Sequence, residues 1–371
     1  MNTLFPLTSF SPAPPAPAPA PHTAAQSSTS SPLATTKPGL ELVCPAGSLP
    51  ALKAAIDAGA DSVYLGFRDA TNARNFAGLN FDEVALKCGI AYAHTRGRKV
   101  FLALNTYPPA SNVSLWLGAI HRAAACNVDA LIMADPGLLG YSQKHYPALR
   151  RHLSVQASAT NHEAINFYHA QFGISRVVLP RVLSLDQIAL LAANTPVDLE
   201  VFGFGSLCVM VEGRCALSSY VTGSGPNSQG VCSPPHAVRW IETPQGRESR
   251  LGGVLIDRYT PDENAGYPTL CKGRFKVNEI NSYYALEEPA GLNSLELLAH
   301  LAGAGVTAIK IEGRQRSPSY VAQVTEIWRR AIDLYLADQH KYHAQAPWMA
   351  TLDKLTEGQR HTLGAYQRPW K

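Results

Sequence analysis

The sequence predicts an α/β chain folded as a (β/α)8, TIM-like barrel with a cysteine-bearing insertion between strands 7 and 8. Three observations predict it: eight short apolar, β-branched runs, helical stretches between most of them, and a helix–turn–strand phrase that recurs. The phrase reads Ala123-Ala-Ala-Cys-Asn-Val-Asp-Ala-Leu-Ile-Met-Ala-Asp135, and returns as Ala302-Gly-Ala-Gly-Val-Thr-Ala-Ile-Lys-Ile-Glu312. A doubly wound sheet is the other architecture such alternation allows, and eight units favour the closed barrel.

Residues 1–38 are dominated by Pro, Ala, Ser and Thr, a composition without the apolar periodicity needed for burial. They are expected to form a disordered tail, with a docking peptide for a proline-binding module as the alternative. From Glu41 the pattern changes. Ser48 caps a helix with Pro50 in its first turn, and Gly59 ends it. The strands are expected at Leu42–Cys44, Ser62–Leu65, Lys99–Leu104, Ala130–Ala134, Leu153–Ala157, Arg176–Leu179, Asp198–Phe202 and Ala308–Glu312. Helices are expected around Asp82–Arg96, Asn112–Ala125, Gly137–Tyr146, Asn161–Phe172 and Ser184–Ala193.

Between the seventh and eighth strands about one hundred residues replace a helix of a dozen. Residues 204–295 therefore read as an insertion at the C-terminal face, where barrel active sites lie. Ser317-Pro318 opens a helix whose Val321, Val324, Trp328, Ala331 and Tyr335 share one face. The barrel with its insertion is expected over 39–338, and 339–371 as a C-terminal extension packed on it.

The 32 Lys and Arg against 28 Asp and Glu leave a formal net charge of +4, too little for clustered phosphate binding, so no nucleic-acid partner is expected. The first basic residue is Lys37, no secretory apolar block precedes it, and no run approaches the ~18–20 apolar residues of a membrane span. A cytoplasmic protein without a transmembrane segment is expected. Seven cysteines, an odd number, then read as thiols or metal ligands.

Four of the seven fall in or at the base of the insertion: Cys208, Cys215, Cys232 and Cys271, separated by six, sixteen and thirty-eight residues. Thiolates are soft donors that suit tetrahedral zinc or the corner irons of a cluster. Structural zinc usually shows two close Cys pairs, and no pair here is that tight. Unliganded packing cysteines remain the third reading. Cys88 and Cys126 lie on expected helices facing the barrel and read as packing residues. Cys44 ends the first strand and is expected to point toward the mouth, where packing or a redox or substrate contact are both open.

The stretch Glu200-x-Phe202-x-x-Gly205-Ser206-Leu207-Cys208-x-x-x-x-Gly213-x-Cys215-x-Leu217-Ser218 resembles the signature of the collagenase-like peptidase family at every position which that signature fixes. The runs Leu207–Tyr220, Thr222–Cys232 and Cys44–Pro50 further resemble the ubiquinone-biosynthesis branch of that family, and the likeness covers about residues 40–371. The resemblance implies a [4Fe-4S] cluster held by Cys208, Cys215, Cys232 and Cys271. It implies a heterodimer with a UbiV-like cluster protein and a UbiT-like lipid carrier, hydroxylating a prenylated phenol without O2, with prephenate as the oxygen donor.

A dicarboxylate donor would need cations at the barrel mouth, and Arg68, Arg74, Arg181, Lys310 and Arg314 follow or flank strand ends where they could supply them. Ordinary rim ion pairs are the alternative for each. Among the polar residues near strand ends, Asn105, Asp135, Gln156, Ser158 and Glu312, the last is the expected site carboxylate. RNA modification is the alternative activity within the same family. Peptidase chemistry is not expected: no Ser-His-Asp set or H-E-x-x-H helix is legible, and a cysteine bound to iron cannot act as nucleophile. A scaffold with a structural cluster is a further reading.

Overall fold

The computed structural model describes residues 39–208, 215–226, 231–277, 281–356 and 360–367. The expected tail at 1–38 and the motif positions 209–214 and 227–230 lie outside the described residues.

Seven strands and six helices alternate first: β1 (Glu41–Pro45), α1 (Leu49–Asp57), β2 (Ser62–Gly66), α2 (Glu83–His94), β3 (Lys99–Leu104), α3 (Ser114–Ala125), β4 (Ala130–Met133), α4 (Pro136–His145), β5 (Arg150–Leu153), α5 (His162–Phe172), β6 (Arg176–Val178), α6 (Leu185–Asn194) and β7 (Asp198–Ser206). The helix starts follow side-chain chemistry. Ser48, Asp82, Asp135, Asn161 and Ser184 each accept a hydrogen bond from a first-turn amide, so one otherwise orphaned N–H per helix is satisfied. Gly59, at φ +102°, turns the chain out of α1 into β2.

The insertion carries α7 (Ala216–Thr222), then an antiparallel sheet of β8 (Val238–Thr243), β9 (Gly246–Leu251) and β10 (Val254–Tyr259). A two-stranded ribbon follows, β11 (Arg274–Phe275) with β12 (Tyr283–Tyr284). β13 (Gly291–Asn293) runs antiparallel to the end of β7, and α8 (Leu298–Gly303) returns the chain to β14 (Ala308–Ile311). β14 pairs in parallel with both β7 and β1, so eight parallel strands close into a barrel surrounded by helices. α9 (Pro318–Ala337) buries Val321, Val324, Trp328, Ala331 and Tyr335, the face its period-3.6 pattern marks. α10 (Ala346–Leu355) follows, and β15 (His361–Thr362) adds to β13. No described helix is long and apolar enough to cross a membrane.

Alternation along each strand sorts the core into two shells. Outward positions such as Leu42, Leu65, Leu102, Leu131 and Ile309 pack under the helices, and the smaller inner set is Val43, Tyr64, Phe101, Ala103, Ala130, Ile132 and Ala308. The rest of the interior is ionic. Arg176 reaches Glu41 at 2.7 Å and Glu200 at 3.2 Å, and Glu200 in turn holds Lys310 at 2.6 Å. Buried charges are retained only when paired, and this chain of four supplies a partner at each step.

Three expectations need correction here. The fifth strand lies at Arg150–Leu153, three residues earlier than expected, and Val155–Ala157 is a 3-10 turn. Cys44 does not face the mouth: it is fully buried in the outer shell, where Thr325 of α9 donates to its sulfur at 3.2 Å. Cys126 is buried as expected of a packing residue, whereas Cys88 is exposed.

Candidate functional site

The C-terminal ends of the strands frame a cavity of about 50 Å3, open at its rim. Tyr64, Phe202 and Ile132 give it apolar walls, and Arg74, Arg181, Lys310, Glu312 and Arg314 line it with charge. Four of the five sequence-predicted cations and the predicted carboxylate are thus brought to one place by strands far apart in the chain.

Glu312 is the centre of this set. Its amide donates to Phe204 of β7 at 2.8 Å, which fixes the backbone. Its carboxylate holds Arg181 at 2.8 Å and Arg74 at 3.5 Å. Burial alone would raise its pKa, but Arg181 and Arg74 outweigh burial and hold it below the ordinary carboxylate value. Arg181 also stacks over Phe202, 3.5 Å from the ring centroid. Lys310 stands over Tyr64 at 3.7 Å with Glu200 beneath it. Arg314 donates to Asn72 Oδ1 at 3.1 Å and has no carboxylate within ion-pair distance among the described residues. Burial pulls its guanidinium down to about 10, so it stays charged at neutral pH.

Arg68 is the predicted cation that the fold leaves out. Its side chain is 54% exposed and faces Asp82 at 3.9 Å on the surface, because the chain turns outward between β2 and Phe81. Asn105 and Gln156 line the cavity, and Asn105 is oriented by the Ala73 amide at 3.0 Å and Ser154 Oγ at 3.3 Å. Asp135 instead caps α4, and Ser158 ends a 3-10 turn in the left-handed region. Tyr64, Asn72 and Ser154 are cavity or neighbouring residues that sequence reasoning did not single out, their signal being only their place near strand ends, while Phe202 entered only as a position of the family signature.

The cysteines gather beside this mouth. Cys208 follows the last residue of β7 by two, Cys215 caps α7, and Cys271 lies in a short turn that packs against α7. Burial pushes the Cys271 thiol up to about 12; Lys272 opposes this, and the neighbouring Cys232 and Cys215 add to it. Three of the four thiols therefore share one electrostatic neighbourhood. Among the described residues no three His, Cys, Asp or Glu side chains are gathered tightly enough to hold a single ion. Four thiolates form a donor set that suits an iron–sulfur cluster or a tetrahedral zinc ion alike.

The fold and site define a TIM-like barrel with an ionised mouth and a thiol-bearing insertion over it. The chain belongs to peptidase family U32, whose family model matches residues 47–368. It is 35% identical over 363 residues to the tRNA hydroxylation protein P of Haemophilus influenzae, covering 90% of this chain and 77% of that protein. Its namesake from Escherichia coli is 34% identical over 354 residues, covering 88% and 76%. The 23S rRNA 5-hydroxycytidine C2501 synthase of Escherichia coli is 29% identical over 301 residues, covering 81% of this chain and 40% of that protein. Hydroxylation is the activity named for these three relatives, whereas a Porphyromonas gingivalis relative, 29% identical over 323 residues, is named a collagenase.

Proposed function

We propose that this chain is a UbiU-like iron–sulfur subunit for O2-independent hydroxylation of ubiquinone precursors. It works in the cytoplasm as a heterodimer with a UbiV-like cluster protein, supplied by a UbiT-like lipid carrier, with prephenate as oxygen donor. The observation that carries the reading is the convergence of Cys215, Cys232 and Cys271 beside a mouth whose cavity is lined by Glu312 and buried cations. The likeness of Leu207–Tyr220, Thr222–Cys232 and Cys44–Pro50 to UbiU supports the substrate.

Cys208, Cys215, Cys232 and Cys271 would hold the [4Fe-4S] cluster, which supplies one-electron chemistry when bound. The chain's own residues do the rest. Tyr64, Phe202 and Ile132 offer apolar surface at the mouth to one aromatic ring. Arg314, Arg74 and Arg181 orient a carboxylate-bearing donor by charge-assisted hydrogen bonds. Glu312, ionised at neutral pH, accepts a hydrogen bond from a ring hydroxyl and so orients the ring.

The test is anaerobic purification of the full chain with its partner, followed by iron and sulfide analysis. Iron and sulfide in cluster proportion, lost with quinone formation in Cys232→Ala, is the expected result; stoichiometric zinc without iron would overturn the reading. A second reading, hydroxylation of an RNA base, is favoured by the names of the relatives above. A deletion strain with altered tRNA or rRNA nucleosides and normal anaerobic quinone would select it.

A further inference from the structure

Among the described residues lining the mouth cavity, Lys310 is the only primary amine. It is 5% exposed, and its ammonium lies 2.6 Å from Glu200 Oε1 and 3.7 Å from the centre of the Tyr64 ring. Tyr64 is pinned in turn by its hydroxyl, which donates to the Ile311 carbonyl at 3.0 Å. Arg314 stands over the same ring at 5.6 Å and donates to Asn72 Oδ1. A side chain at Gly66 would begin 2.9 Å from Arg314 Nη1, so this glycine is what lets the guanidinium lie there. One aromatic ring thus carries an amine backed by a carboxylate and a guanidinium that ends on a neutral partner.

A buried amine that a cavity exposes to a ligand is the arrangement that forms covalent adducts with carbonyl compounds. Burial, aided by Arg314 and Arg176, holds Lys310 below the ordinary lysine pKa although Glu200 opposes it, which favours shedding a proton. We propose that Lys310 forms an imine with the carbonyl of a 2-oxo acid whose carboxylate rests on Arg314. This rests on reading the cavity as the site of a carboxylate-bearing donor and narrows that donor to 2-oxo acids; the cluster does not enter. Glu200 takes one proton from the ammonium as the nitrogen attacks the carbonyl carbon and the C–N bond forms. The carbonyl oxygen receives that proton and one more from the nitrogen, the C–O bond breaks, and water leaves. Ammonium and carbonyl become iminium and water, with no net proton and no oxidant or reductant. The product keeps a positive charge beside Glu200, so the adduct strands no buried carboxylate.

The experiment uses the full chain purified as above, incubated with pyruvate and sodium cyanoborohydride, digested and read by mass spectrometry, with equilibrium dialysis of pyruvate and lactate alongside. The expected result is a carboxyethyl group on Lys310 in excess of that on Lys341, whose side chain is 83% exposed, and suppressed by lactate. Arg314→Met should lower this labelling about tenfold or more at sub-saturating pyruvate, the loss of a charge-assisted contact. Lys310→Arg, which keeps a cation for Glu200, should abolish it while pyruvate still binds. Pyruvate and lactate that both bind, with Lys310 labelled no more than Lys341, overturn the imine and leave the donor site standing. Unchanged labelling in Arg314→Met overturns the carboxylate contact. Binding of neither acid removes the donor site itself and the imine with it. Where Lys310→Arg does not assemble, the wild-type comparison of Lys310 with Lys341 decides alone.

Discussion

Arg181 Nη2 lies 2.8 Å from Glu312 Oε2, joining the loop after β6 to the end of β14 across the barrel mouth. Both side chains are largely buried, at 4% and 12% exposure, so neither can turn to water if the other is removed. Glu312→Ala should therefore cost about 1.5–3 kcal/mol of stability, the range for losing hydrogen bonds between charged groups. Urea denaturation of the full chain reads this directly. A loss below about 1 kcal/mol would mean the pair behaves like a surface ion pair.

Gly205 should tolerate no side chain. Its φ of +137° is a conformation L residues rarely adopt, and an added Cβ would stand 2.5 Å from Glu312 Cβ and 3.3 Å from its Cα. Gly205→Ala should lose about 1–3 kcal/mol from backbone strain and displace Glu312 from Arg181. On the proposed function, hydroxylation should fall while the iron and sulfide content matches wild type. Full activity in this variant would show that Glu312 need not hold its position.

The barrel was largely legible because seven of its eight strands advertise apolar runs, and caps such as Ser48, Asp82 and Asn161 mark helix starts. β5 was misplaced for a physical reason. Its alternate positions Arg150 and His152 belong to the charged interior, so the apolar signal began only at Leu153. β8 escaped notice because most of its residues are exposed and no apolar period arises. At the site, residue type revealed the cysteines and cations. Partnership did not show: Lys310 and Glu200 are 110 residues apart, and only closure of the barrel brings them to 2.6 Å.

Arg314 and Lys310 line the same cavity but should respond oppositely to substitution. Lys310→Met leaves Glu200, at 0% exposure, with Arg176 as its remaining cation, so a loss of about 3 kcal/mol is expected. Arg314→Met strands no carboxylate, since its recorded side-chain partner is the neutral Asn72. Its stability should be unchanged or higher, as when a buried charge gives way to an apolar side chain, while binding of a carboxylate donor weakens. Thermal melts with binding titrations on both variants separate the cases. A destabilised Arg314→Met would place its role in the fold.

His152 should set how early acid weakens the protein. It is fully buried, neither ring nitrogen has a hydrogen-bond partner among the described residues, and its ring meets Phe101 edge-on at 4.8 Å. Burial first, then Arg176, Arg150, Lys310 and Lys99, hold its pKa well below 6.5. The unfolded chain takes up a proton there below about 6.5, and the folded chain does not. The unfolded state then binds more protons, so stability falls as pH drops, by up to about 1.4 kcal/mol per pH unit. Glu312 and Glu41, both held below 4.5, act in the same direction but only further down, as pH falls past the ordinary carboxylate value toward their folded ones. Stability measured by urea melts should therefore begin to decline near pH 6.5, ahead of the carboxylate window. His152→Leu should flatten the slope between about pH 6.5 and 4.5 and leave the steeper loss below it. A slope there that survives His152→Leu would assign it to other groups.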